Sequence, residues 1–188
     1  MKNQLFILFL FCILLIASCA VDEQCRTNLN VSMEMGLYHV VRNKTLDTIT
    51  TSTLTIDSLT VKGLRFDSLA KKYVYVDSII YNNSKLVSSI NLPLHNFEPI
   101  SVFEITFNNK IITNNLITNK KDTIPLTNIK DTLTVIHENT NKYLSLDCGS
   151  IKVHTIDTAY TTKNFIDSIH IVNHNVNNIN AENIKIFK

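Results

Sequence analysis

Glycine is nearly missing from this chain. Its 188 residues hold three, Gly36, Gly63 and Gly149, none near another. Phosphate-cradling loops and dinucleotide fingerprints need clustered glycines where backbone approaches phosphate, so both are excluded. A basic surplus is lacking too: 18 Lys plus Arg stand against 16 Asp plus Glu. Nothing here neutralises a run of phosphates, which argues against nucleic acid as a partner. There is no HExxH and no nucleophile elbow, and the carboxylates form no recognisable acid/base pair. Six histidines are scattered at 39, 95, 137, 154, 170 and 174. His170 and His174 have helical i, i+4 spacing, but in a strand four residues span about 13 Å, too far to share an ion. Neither a metal nor a cofactor is expected.

Helical stripes are also absent after the N-terminal segment. From about residue 45 the apolar period is two: Leu54 and Ile56, Leu59 and Val61, Leu144 and Leu146, Ile151 and Val153, Ile169 and Ile171, Ile184 and Ile186. Thr, Val, Ile and Tyr dominate these runs, as strands prefer. Asn, with 23 residues, punctuates them at 82–83, 108–109, 114–115 and 177–178, where turns are expected. Pro93 cannot donate to a ladder and implies an edge or a bulge. Hydrophobic content of 45% is ample for one packed domain. The expected fold is all-β, an antiparallel β-sandwich, immunoglobulin-like or related, of eight or nine strands. The tyrosines at 73, 75 and 81 read either as a sugar-binding platform or as packing on a strand face.

The first residues are a different material. One Lys precedes an apolar run from Leu5 to Ile16, too short for a permanent span but the right length for the core of a secretory signal. The run ends Ile16-Ala17-Ser18-Cys19, which resembles the bacterial lipobox, whose Cys is diacylated and becomes the new N-terminus. The expected divisions are a lipoprotein signal peptide at 1–18, a lipidated N-terminus and short tether at 19–24, and a single β-sandwich domain at 25–188. The following Ala-Val-Asp-Glu-Gln resembles the export signal of Bacteroidota surface lipoproteins. The expected address is the outer membrane, lipid-anchored, facing the periplasm or the cell surface.

Of the four cysteines, Cys12 is lost with the signal and Cys19 carries lipid, leaving Cys25 and Cys148 in a compartment that oxidises thiols. A disulfide is the simplest outcome; a metal pair or a reactive thiol are the alternatives.

A small pattern recurs through the body. Eight of the ten Asp residues are followed by Ser or Thr and then Ala, Ile or Leu. Composition alone predicts roughly one such case. In the stretch 54–80 each pair falls where the apolar phase slips by one, a place that needs a bulge or turn. Asp suits such places because its carboxylate accepts local backbone N–H bonds. The triplet also resembles the Asp-Ser/Thr-hydrophobic sequon of Bacteroidota O-glycosylation. That resemblance implies modification at Thr48, Ser58, Ser68, Ser78, Thr123, Thr132, Thr158 and Ser168, subject to exposure.

The order of features (lipobox, early Cys, DSLTVKGL, INLPL, DTLTV, YLSLDCG, NFIDSI, ENIKIF) resembles an uncharacterised family of small Bacteroidota lipoproteins, over nearly the whole mature chain. Cys25 and Cys148 match that family's cysteine pair. The resemblance implies lineage and address and carries no activity. The expected function is that of a membrane-anchored, non-catalytic envelope module that is O-glycosylated and binds an envelope protein or glycan. The alternative is a glycan-processing or other hydrolytic enzyme whose site is assembled from distant residues.

Overall fold

The computed structural model describes residue 25 and residues 28–43, 48–115 and 120–188. Cys19 and everything before it lie outside the described residues, as does Asp47. The described chain forms eleven strands and no helix: β1 (Met33–Asn43), β2 (Thr48–Thr53), β3 (Ile56–Asp67), β4 (Lys72–Val87), β5 (Ser89–Leu92), β6 (Ile100–Asn115), β7 (Lys120–Ser145), β8 (Gly149–Thr161), β9 (Ser168–Ile171), β10 (Asn175–Val176) and β11 (Glu182–Phe187). The all-β expectation holds, while the eight or nine strands become eleven. The surplus comes from pieces such as β5, β9 and β10, of four, four and two residues, too short to display a period.

The strands make two open sheets. One has six, in the order β10-β8-β7-β6-β3-β4, and the other runs β2-β1-β11-β9 with β5 also paired to β1. β5 and β2 lie end to end along one edge of β1, pairing with Met33–Gly36 and Tyr38–Asn43. Leu37 bridges the join: its N–H donates to Ser88 O at 2.9 Å and its carbonyl accepts from Leu54 N at 2.8 Å. The other edge of β1 departs from the expected antiparallel pattern, because β11 runs parallel to it, Met35 beside Ile184 and Leu37 beside Ile186. A parallel pair cannot be closed by a tight hairpin. Here the two strands are the first and last of the described chain, with all the others between them in sequence.

One apolar cluster joins the sheets. Met35, Leu37, Ile90, Leu92, Ile184 and Ile186 come from the five-stranded sheet, and Leu59, Val61, Ile105, Phe107, Leu133 and Val135 from the other. Each fully buried aliphatic or aromatic side chain of this kind contributes roughly 1.5–3 kcal/mol of transfer free energy. Phe107 stacks on Phe165, ring centroids 4.4 Å apart. Phe165 belongs to no strand; a carboxylate holds its loop in place. Asp131 is fully buried on β7 and accepts from the backbone N–H groups of Asn164 (2.6 Å), Phe165 (2.8 Å) and Ile166 (2.8 Å) and from Thr162 Oγ1 (2.7 Å). Burial pushes this carboxyl up, but the four donors outweigh it and hold its pKa below the ordinary value.

The described residues divide into two units: Asn28–Lys142 with Ile151–Lys188, which contains the whole core, and Cys25 with Tyr143–Ser150. Within the smaller unit Cys25 and Cys148 form a disulfide, Cα atoms 4.9 Å apart. Ser145 Oγ accepts from Cys148 N at 3.0 Å, closing the turn that carries the second cysteine.

Candidate functional site

Histidine is where folding brings distant polar residues together. On β6, Ser101 continues the inward phase of Phe103 and Ile105; on β7, His137 continues that of Leu133 and Val135; on β8, His154 precedes Ile156 by two. All three are buried. Asn139 Nδ2 donates to Glu98 O at 3.0 Å, which turns its Oδ1 toward the two rings. That oxygen lies 2.9 Å from His137 Nδ1 and 2.7 Å from His154 Nδ1. It is an acceptor, so both Nδ1 atoms carry hydrogen, and neutral His137 then accepts at Nε2 from Ser101 Oγ, 2.8 Å away. Ser101 Oγ in turn accepts from His95 N at 2.7 Å.

The rings meet edge to face with centroids 5.1 Å apart, where two cations would repel. Burial depresses the pKa of both, slightly offset at His137 by Asn139. For His154 burial, then His137 and Lys152, bring it down to about 4. The pair is therefore neutral at pH 7. Ser–His–Asn connectivity is that of a nucleophilic relay, yet here the serine is buried and its oxygen is engaged as donor and acceptor at once. The sequence shows these histidines only as scattered; the available signal was that 137 and 154 occupy apolar phase. Among the described residues no cluster of His, Cys, Asp and Glu has the form of a metal site.

The tyrosines separate. Tyr81 is half-buried against the core, and its Oη accepts from Asn91 N at 2.8 Å, so there the packing reading applies. Tyr73 and Tyr75 lie about half exposed, paired across the β3–β4 hairpin with Phe66 and Leu64. Phe66 and Tyr73 meet edge to face at 5.4 Å. Tyr75 Oη donates to Glu104, Glu104 pairs with Lys130 at 3.0 Å, and Lys62 Nζ sits 4.9 Å above the Tyr75 ring. Residues 76–78 of β4 face Gly63 alone, between the pairs Lys62–Ile79 and Leu64–Tyr75. This bulge separates the environments of Tyr75 and Tyr81.

The same bulge contains Asp77-Ser78. Asp67-Ser68 forms the tip of that hairpin, where Asp67 Oδ1 accepts from Leu69 N (2.9 Å) and Ala70 N (3.1 Å). Across Asp57-Ser58 the strand changes face, since Ile56 and Leu59, three apart, are both in the core. The phase slips of the sequence thus have structural counterparts. Asp122 and Asp131 differ, each lying in unshifted ladder opposite Thr113 and Ile105. Of the candidate hydroxyls, Ser68, Thr158 and Ser168 are exposed and Thr132 is half-buried. Ser58 is buried and hydrogen-bonded to Asn83 Oδ1, which removes it from reach in the folded chain. Thr48 opens β2, and Thr123 lies in the β6–β7 ladder opposite Ile112.

No curated protein and no solved structure matches this chain. A family profile does match, over residues 58–188. That span takes in β3 from Ser58 onward and all of β4 to β11, and with them Asp131, the His137–His154 pair, the hairpin of Tyr73 and Tyr75 and the second cysteine. The chain belongs to DUF6452, a family of unknown function.

Proposed function

We propose that this protein is a lipid-anchored module of the bacterial outer membrane, attached through Cys19, that serves as a non-catalytic binding or structural domain. Its lineage on this reading is that of the small Bacteroidota lipoproteins. The observation that carries it is the Cys25–Cys148 bond lying just behind a secretory signal ending in Ile16-Ala17-Ser18-Cys19. Disulfides persist in exported proteins and are rare in reducing compartments. Two thioether-linked acyl chains and one amide-linked chain bury dozens of methylenes at roughly 0.8 kcal/mol each, so the anchor is permanent in practice.

Two features support binding over catalysis. Ser101 is bonded to His137, His137 and His154 both donate to Asn139, and Ser101 and both rings are buried. The aromatic group of Phe66, Tyr73 and Tyr75 faces solvent beside the Glu104–Lys130 pair, a mixture that suits a sugar ring or a protein surface. Exposed Ser68, Thr158 and Ser168 support O-glycosylation of the same chain. Fractionation of the native host tests the anchor. The wild type partitions into detergent phase, and Cys19→Ser leaves an uncleaved precursor or a soluble protein. A variant that is cleaved like the wild type and still partitions into detergent would sink the reading.

A further inference from the structure

The hairpin turn that carries Cys148 has an unusual surface. Leu146 is 93% exposed and Tyr143 62% exposed, and both belong with Cys25 and Cys148 to the smaller unit. A lone exposed leucine needs no explanation. This one sits two residues from a disulfide whose partner is six residues from Cys19.

Chain geometry limits how far it can stray. Six extended residues reach at most about 21 Å and two about 7 Å. The bonded Cα atoms add 4.9 Å. By sequence alone Leu146 is 127 residues from Cys19, and the disulfide shortens that path to nine steps.

We propose that the Tyr143–Ser150 end of the β7–β8 hairpin is a membrane-contact element, in which Leu146 and Tyr143 enter the interface of the bilayer that holds the lipid anchor. This rests on the reading of Cys19 as lipidated. Tyr belongs at the depth of lipid headgroups, apolar body inward and hydroxyl in water, and Leu reaches the acyl boundary beneath. Asp147, exposed beside Leu146, makes a zwitterionic surface the better match, since an anionic one would repel it. The disulfide delivers the turn to the membrane, so its role is orientation as well as stability.

The chain has no tryptophan, so Leu146→Trp creates a single reporter at a solvent-exposed position. The full-length lipidated variant is reconstituted into phosphatidylethanolamine vesicles doped with brominated phosphatidylcholine, and flotation is measured first. The expected result is flotation with blue-shifted emission that brominated lipid quenches. Adding Cys25→Ser and Cys148→Ser should preserve flotation and abolish most of the quenching. Flotation with no quenching overturns membrane contact and leaves the anchor intact; a blue shift without quenching does so too, by showing the reporter buried against protein and not lipid. Quenching that survives removal of the disulfide overturns its orienting role. Failure to float overturns the anchor and, with it, this inference.

Discussion

His137 and His154, seventeen residues apart on neighbouring strands, both donate from Nδ1 to one atom, Asn139 Oδ1. The shared acceptor fixes both tautomers and keeps two buried rings neutral in contact. Protonating His154 places a buried cation against a second imidazole and within the field of Lys152.

Acid should therefore weaken the fold through this pair. His154 has a folded pKa of about 4 against 6.5 unfolded, so between these values the unfolded chain binds more protons. Its contribution is whole above pH 6.5, declines as pH falls, and amounts to about 2–3 kcal/mol lost by pH 4. Urea unfolding at pH 7 and pH 4.5 measures the loss. His154→Leu should flatten the profile in that window; an unchanged slope would show that the pair titrates normally.

Asp131 should be among the most sensitive single positions. Its carboxylate satisfies three backbone N–H groups and the Thr162 hydroxyl. Asp131→Ala leaves the buried N–H groups of Phe165 and Ile166 unpaired and releases the Asn164 N–H and the Thr162 hydroxyl, at a cost of about 3 kcal/mol or more. Because its pKa is held down, its contribution is present above the unfolded value and disappears as pH falls through the folded one. Hydrogen exchange at residues 162–167 should accelerate in the variant well beyond any change in β11.

Removing the Phe107–Phe165 stack tests whether that loop belongs to the core. Phe165→Ala should cost about 3–5 kcal/mol, as for other buried aromatics. A loss under about 1 kcal/mol would mean that the loop merely covers the sandwich.

Gly36 lies where Tyr38 reaches across β1 to Glu182, whose Oε1 it donates to at 2.6 Å. A Cβ at 36 would stand 2.0 Å from that same oxygen and 2.7 Å from the Tyr38 ring. Gly36→Ala should displace both side chains and break the bond, at about 1 kcal/mol. The bond to Glu182, with burial, raises the Tyr38 pKa to about 12. Tyrosinate absorbance should show one tyrosine moving back toward 10 in the variant.

Glycan attachment should follow exposure. Intact-mass and peptide spectra of protein from its native host should place it at Ser68, Thr158 or Ser168 and never at Ser58. Modified Ser58 would require attachment before folding. An unmodified chain would leave the Asp-Ser and Asp-Thr pairs as phase-slip devices alone.

The sequence by itself determined the class of the fold, because period two is a property of neighbouring residues. Ile184 and Ile186 or Leu59 and Val61 declare an inner face without knowing what they face. It also determined where the phase slips, since Asp67-Ser68 and Asp77-Ser78 interrupt the alternation locally. Only the tertiary structure decided partners. That β11 lies parallel to β1, that Phe165 stacks on Phe107 and that Asp131 holds the loop between them are contacts of high sequence separation, specified by shape and by unsatisfied donors, which no local pattern encodes. The two histidines mark the boundary between the kinds of information. Their apolar phase is visible in the sequence and says that they are buried; their common acceptor depends on β7 and β8 lying side by side, with Asn139 turned inward by Glu98 O.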